Sequence, residues 1–296
     1  MKRYLYFEIL LPIVAALFTI TITTLRVLAF LFDYDVAAGY FSLGSQTFRA
    51  ANILSIVYLV ACFVVVMIFC HRRLIPSKDT LFSRILALGL GVGLVLFIAS
   101  QISSGFPDGR MGVCLLISVI FATGGLLFCI LTFIPMPWVE PARALSALSL
   151  VGASIFYAMS RYFNPALPIN SDIKNIYIFA SLGAMLFFLS EAKRVLGKPI
   201  SYSSRFFNLT CFMFSISAGV PELVDAIVSN DAPIQNYTHA LLQMLSGAYA
   251  FARLLASRIP VAADAEPIGT MEEAAQVPQA EAIVELEAQT EDAQDE

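Results

Sequence analysis

Apolar residues fall in eight long blocks along this chain, at roughly 8–32, 50–70, 85–103, 111–133, 144–161, 175–192, 206–228 and 236–257, with short polar stretches between them. A helix needs about 20 mostly apolar residues to cross a hydrocarbon core about 30 Å thick. The blocks meet that length, are too long for strands, and lack the alternation of a membrane β-barrel. A helix also satisfies its backbone polar groups within one segment, which lipid demands. The pattern predicts an all-α polytopic integral membrane protein with eight transmembrane helices. Lys2 and Arg3 precede the first block as they would in a signal peptide. That block outruns the usual apolar core of such a peptide and no small-x-small cleavage site follows, so it reads as an uncleaved first helix.

The polar stretches set the orientation, because cytoplasmic loops carry the excess of Lys and Arg. With the N-terminus inside, thirteen Lys/Arg fall on the inner side and five on the outer, namely Arg26, Arg49, Arg110, Arg161 and Lys174. The expectation is N-in and C-in. The outer loop 33–49 has room for a short interfacial helix.

Composition agrees with this picture: 58% of residues are hydrophobic and 14% charged, against about 45–50% and about 25% in soluble domains. The balance excludes a soluble globular protein, a disordered chain and a nucleic-acid binder. The net charge of −4 is a cancellation. Residues 259–296 hold eleven acids and no Lys or Arg, whereas residues 1–258 hold all 18 basic residues against eleven acids, a net of +7. The domain reading is therefore a transmembrane region, 1–258, and a disordered acidic cytoplasmic tail, 259–296, with too little apolar surface to fold alone.

Two inner hairpins resemble each other. Arg72–Arg84 reads RRLIPSKDTLFSR and Lys193–Arg205 reads KRVLGKPISYSSR, at a constant offset of 121 residues. The shift superposes the third block on the seventh. It suggests a 4+4 parallel repeat with halves 1–140 and 141–258, an arrangement known among transporters. Two unrelated inner hairpins would also share basic residues and turns.

Ionisable side chains within spans are costly and mark candidate sites. Thr19, Thr23 and Arg26 share one face of the first helix, where Arg26 either snorkels outward or pairs with a buried acid. The seventh helix holds Pro221 beside Glu222 and Asp225, a potential kink next to two carboxylates three residues apart. The eighth carries a polar stripe of His239, Gln243, Ser246 and Arg253. By the expected topology Arg26, Gln101, Glu222, Asp225, His239 and Gln243 all lie in the outer half and could line one solute-binding cavity. Gly89, Gly91 and Gly93 in the third helix read as a close-packing face.

The stretch Tyr162–Arg194, with Pro168, Asn170, Lys174 and the run MLFFLSEAKR, resembles a group of multi-pass bacterial membrane proteins that carry no assigned activity. The likeness spans about 30 residues. It implies only that Asn170, Lys174 and Glu191 are further candidates; Glu191 also reads as an interfacial partner of Lys193 and Arg194.

No P-loop, HExxH or GxSxG motif is present, and with only His71 and His239 no multi-histidine metal site is expected. No catalytic residues, cofactor or metal are therefore assigned, and an enzyme is the least supported class. The five cysteines show no metal spacing and read as small buried hydrophobes. Two functions fit better: a transporter or binder of a small solute, or a non-catalytic scaffold or sensor whose acidic tail docks a cytoplasmic protein. The partners expected are the lipid bilayer, the solute and that protein, with no nucleic acid. The location expected is a bacterial plasma membrane.

Overall fold

The computed structural model describes residues 2–35, 40–42, 44–70, 79–134, 137–168, 171–197, 202–228 and 232–256. It contains eight long helices: α1 (Lys2–Asp33), α2 (Gln46–Cys70), α3 (Leu81–Ser104), α4 (Arg110–Leu131), α5 (Glu140–Tyr162), α6 (Asp172–Val195), α7 (Tyr202–Val228) and α8 (Ile234–Ala256). Each coincides with one apolar block. The local chemistry is visible at several ends. Thr80 caps α3 by accepting from the Ser83 backbone N–H. Pro141 occupies the first turn of α5, where its missing N–H costs no helical bond. Gly197 takes a φ of 69° after α6, a conformation that favours glycine.

Residues Met1–Ile259 form one compact unit. The expected tail, 259–296, and candidate residue Asn170 lie outside the described residues. In the loop 33–49 the described residues form no short helix. Tyr34–Asp35 (β1) and Tyr40–Phe41 (β2) make a two-residue antiparallel ladder. Asp33 accepts hydrogen bonds from Ser45 and Thr47, and Phe41 stacks on Phe48 with ring centroids 4.2 Å apart. Aromatic pairing and an Asp–Ser–Thr cluster give this loop its own local order.

Helices α3 to α8 form a closed ring in which each packs on the next in chain order and α8 packs back on α3. The α1–α2 hairpin lies against α7. The ring's apolar core includes Phe97, Phe128, Leu150, Phe187 and Tyr249; a second core joins Ile22, Tyr58, Leu209 and Met213 across α1, α2 and α7. Large aliphatics such as Ile20, Ile56, Val92 and Ile120 face outward and are exposed. Polar residues such as Gln101, Glu191, Glu222, His239 and Arg253 are buried instead. This apolar-outside pattern is what lipid selects.

Seven of the eight helices, α1 to α7, are long and apolar enough to cross a membrane. Helix α8 falls short because its polar stripe lowers its hydropathy; yet Thr238, His239, Gln243, Ser246, Tyr249 and Arg253 on that stripe are all buried. Its neighbours α3 and α7 approach closely through glycine. A Cβ on Gly93 would meet Leu245 Cδ1 at 2.8 Å, and one on Gly219 would meet the Ala240 carbonyl oxygen at 2.7 Å.

Candidate functional site

At the end of the bundle where α3, α5 and α7 finish and α8 begins, the ring opens into a cavity of about 450 Å³. Its polar wall comprises Gln101 and Ser104 from α3, Tyr157, Ser160 and Arg161 from α5, Asn164 just beyond α5, and Gln235, Asn236 and His239 from α8. Phe106, Met111 and Leu115 supply apolar surface. The volume falls in the range of small-molecule sites, about 300–1,000 Å³.

Three ionisable groups meet beside this cavity. Glu222 Oε2 lies 2.7 Å from His239 Nδ1. Arg161 Nη2 donates to Glu222 Oε1 at 3.2 Å and lies 3.0 Å from the same His239 nitrogen. Arg161 Nε donates to the Tyr157 hydroxyl. A carboxylate oxygen and an imidazole nitrogen at 2.7 Å require a proton between them, carried by one or the other. The imidazole stacks on Tyr157 with centroids 4.3 Å apart and meets Tyr177 edge-on at 5.7 Å. The guanidinium lies 5.2 Å from the Tyr157 ring centroid and 4.8 Å from that of Tyr177. Two aromatic rings and a carboxylate thus fix Arg161 in one pose.

The structure brings Glu222 and His239 together and sets Gln101 in the same cavity wall. Gln243 lies about one turn deeper on α8, where a second cavity of about 50 Å³ is lined by His239, Gln243 and Ser246. That is room for a few waters. His239 Nε2 and Gln243 Oε1 are buried without hydrogen-bond partners among the described residues. Asp225 is exposed and does not line the larger cavity. Lys174 is buried and donates to the Tyr162 carbonyl at 3.2 Å.

Arg26 lies apart from these groups, and no carboxylate pairs with it among the described residues. It is buried, with Nη1 donating to Ser217 Oγ at 2.9 Å and to the Ser217 carbonyl at 3.4 Å, and Nη2 to Ser55 Oγ at 3.3 Å. The reason is on α7. Pro221 has no N–H to offer the carbonyl four residues earlier, which is that of Ser217. Arg26 supplies the missing donor to that carbonyl, five residues before Glu222.

Glu191 belongs to a second cluster at the opposite end of the bundle. Its Oε2 accepts from Arg194 Nη2 at 2.8 Å and its Oε1 from Arg253 Nε at 3.1 Å, while Tyr249 donates to Oε2 at 3.4 Å. Asp79, just before α3, pairs with Arg253 at 2.9 Å, Arg194 at 3.2 Å and Arg143 at 2.8 Å. Burial works to raise the Asp79 carboxyl. The nearby Arg194, Arg253 and Arg143 outweigh it and hold the group below the usual carboxylate range.

Sequence reasoning missed Arg161, Tyr157, Tyr177, Asp79 and Arg143. The first two carried a signal, an aromatic and an arginine four residues apart on one helical face. Cys62, Cys114, Cys129 and Cys211 are buried free thiols. Among the described residues no group of three or more His, Cys, Asp and Glu could hold a metal ion. Comparison of the chain with protein-family models, with curated proteins and with solved structures finds no match.

Proposed function

We propose that this protein binds a small solute in the cavity beside Arg161, Glu222 and His239 and carries it across the plasma membrane. The observation that supports this is the union, at one end of a lipid-adapted bundle, of a cavity large enough for a small molecule with a fixed ionisable triad. A scaffold working through its acidic tail needs neither. In this reading α8 is the eighth span, its polar stripe shielded by α3, α6 and α7, and both termini are cytoplasmic. The cavity end is then extracytoplasmic and the Asp79–Glu191 cluster lies on the cytoplasmic side. Duplication of two halves is not required: α2 packs chiefly on α1 and α7, whereas α6, its counterpart at the 121-residue offset, is a member of the ring.

Thiol labelling in intact bacterial cells tests the reading. A Gln101→Cys variant should react with a membrane-impermeant maleimide added outside, and the buried native thiols should not. A Gln101→Cys that stays unlabelled in intact cells, but labels in inside-out vesicles, would overturn the orientation and with it uptake from outside.

A further inference from the structure

Resting on that reading, we propose that the solute is a small organic anion whose carboxylate is anchored by Arg161. Four side-chain amides (Gln101, Asn164, Gln235 and Asn236) supply neutral hydrogen bonds around it. Among the described residues that line the cavity, Arg161 is the only permanent charge, and no carboxylate lines it. Glu222 is buried and touches Arg161 and His239 instead. The guanidinium also keeps a donor in hand. Nε is taken by Tyr157 and Nη2 by Glu222, while Nη1 has no hydrogen bond among the described residues. The Arg161 side chain is 18% exposed. A cation would meet a guanidinium with no carboxylate beside it in the cavity wall, and a neutral polyol could accept from the spare N–H but would bring no negative charge to it. A carboxylate is the complementary group, with the planar acceptor geometry that a guanidinium prefers.

One objection concerns charge: Arg161 is already neutralised by Glu222. A bound carboxylate would leave one uncompensated negative charge in a site enclosed by lipid-embedded helices, which is costly. The Glu222–His239 pair removes the problem. It holds one proton between Nδ1 and the carboxylate at 2.7 Å, and a second enters at His239 Nε2, which has no hydrogen-bond partner among the described residues, as the anion binds. The groups facing this pair are Arg161 and Tyr157 from α5 and Tyr177 from α6; α3 presents the uncharged Phe97. Asp225 lies three residues along α7, nearer the helix end. Among side chains, an imidazole is the one whose ordinary range lies near neutrality. Anion binding is thereby linked to uptake of one proton.

The test is thermal unfolding of the full-length protein in detergent with acetate, lactate, succinate or benzoate, and with glucose, glycerol and choline as comparison solutes. At least one carboxylate should raise the unfolding midpoint, and its Kd should tighten as pH falls from 8 to 6, where such acids stay ionised. Arg161→Gln should abolish that shift. Should Arg161→Gln fail to fold, Asn236→Asp serves: it puts a negative charge in the wall without touching the triad and should weaken the same carboxylate about tenfold or more. Stabilisation by glucose, glycerol or choline but by no carboxylate overturns the anion assignment and leaves the cavity reading standing. A carboxylate shift that survives Arg161→Gln unchanged, or Asn236→Asp unchanged, overturns it equally. Failure of outside labelling at Gln101→Cys strikes the parent reading alone.

Discussion

Arg26 shows how one residue's role depends on a single missing proton elsewhere. The Pro221 ring removes an N–H from α7, and a guanidinium from α1 fills the vacancy at the Ser217 carbonyl. Arg26→Leu should therefore destabilise the protein by about 1–3 kcal/mol, the cost of leaving a buried polar group unpaired. Pro221→Ala restores the helical donor, so the same Arg26→Leu change should cost at least about 1 kcal/mol less in that background. A double-mutant cycle of reversible unfolding in mixed micelles reads the difference, and strictly additive losses would show that Arg26 serves another group. The sequence placed Arg26 beside Glu222 or Asp225 because a buried cation calls for a buried anion. It could not show that a proline-freed carbonyl answers the same need. Glu222 and His239 were legible, one as a carboxylate beside a helix breaker, the other as the head of a polar stripe with a 3.6-residue period. Arg161 was not. It stands at the end of an apolar block, where an arginine reads as a topology charge, and its partners lie 61 and 78 positions away.

At the scale of elements, apolar block length determined all eight helices to within a few residues. Loop 33–49 escaped, since its ladder rests on aromatic contacts that no periodicity encodes. Helix α8 is the informative element. Its hydropathy alone disqualifies it as a span, and only its burial by neighbouring helices explains how so polar a helix sits among apolar ones. The close crossings that bury it rest on glycine, and the two contacts differ in kind. A methyl on Gly93 meets the movable tip of Leu245, whereas one on Gly219 meets the Ala240 backbone oxygen, with Met244 and Gln243 at 2.9 and 3.2 Å. Gly219→Ala should thus cost about 1–3 kcal/mol by overpacking, and Gly93→Ala clearly less, since leucine can change rotamer. The order of unfolding midpoints of the two variants checks this, and the reverse order would contradict the α7–α8 approach described here.

Across the whole molecule, the α8 stripe joins two ionic centres. His239 belongs to the cavity end, Arg253 to the opposite cluster, with Gln243, Ser246 and Tyr249 buried between them. One end is open to a cavity of about 450 Å³; at the other, Asp79 and Glu191 bridge arginines from α5, α6 and α8. Asp79 is the residue through which this cluster responds to solution conditions. Its carboxyl is held below the usual range in the folded protein, so its contribution to stability is fully present above the unfolded-state value near pH 4 and is lost as pH falls through the lower folded-state value. Asp79→Asn should therefore weaken the protein at pH 7, and the gap from wild type should narrow and vanish as the pH is lowered below about 4. The same change should loosen that end. Ser190 is buried there, hydrogen-bonded to Ser204. A Ser190→Cys thiol should label slowly with maleimide in purified protein and markedly faster once Asp79→Asn is added. If the two ends open in alternation, a Gln101→Cys thiol should at the same time label more slowly, because loosening one end shifts the population toward closure of the other. Faster labelling at both positions would instead mean that the Asp79 network supports the whole bundle and gates neither end.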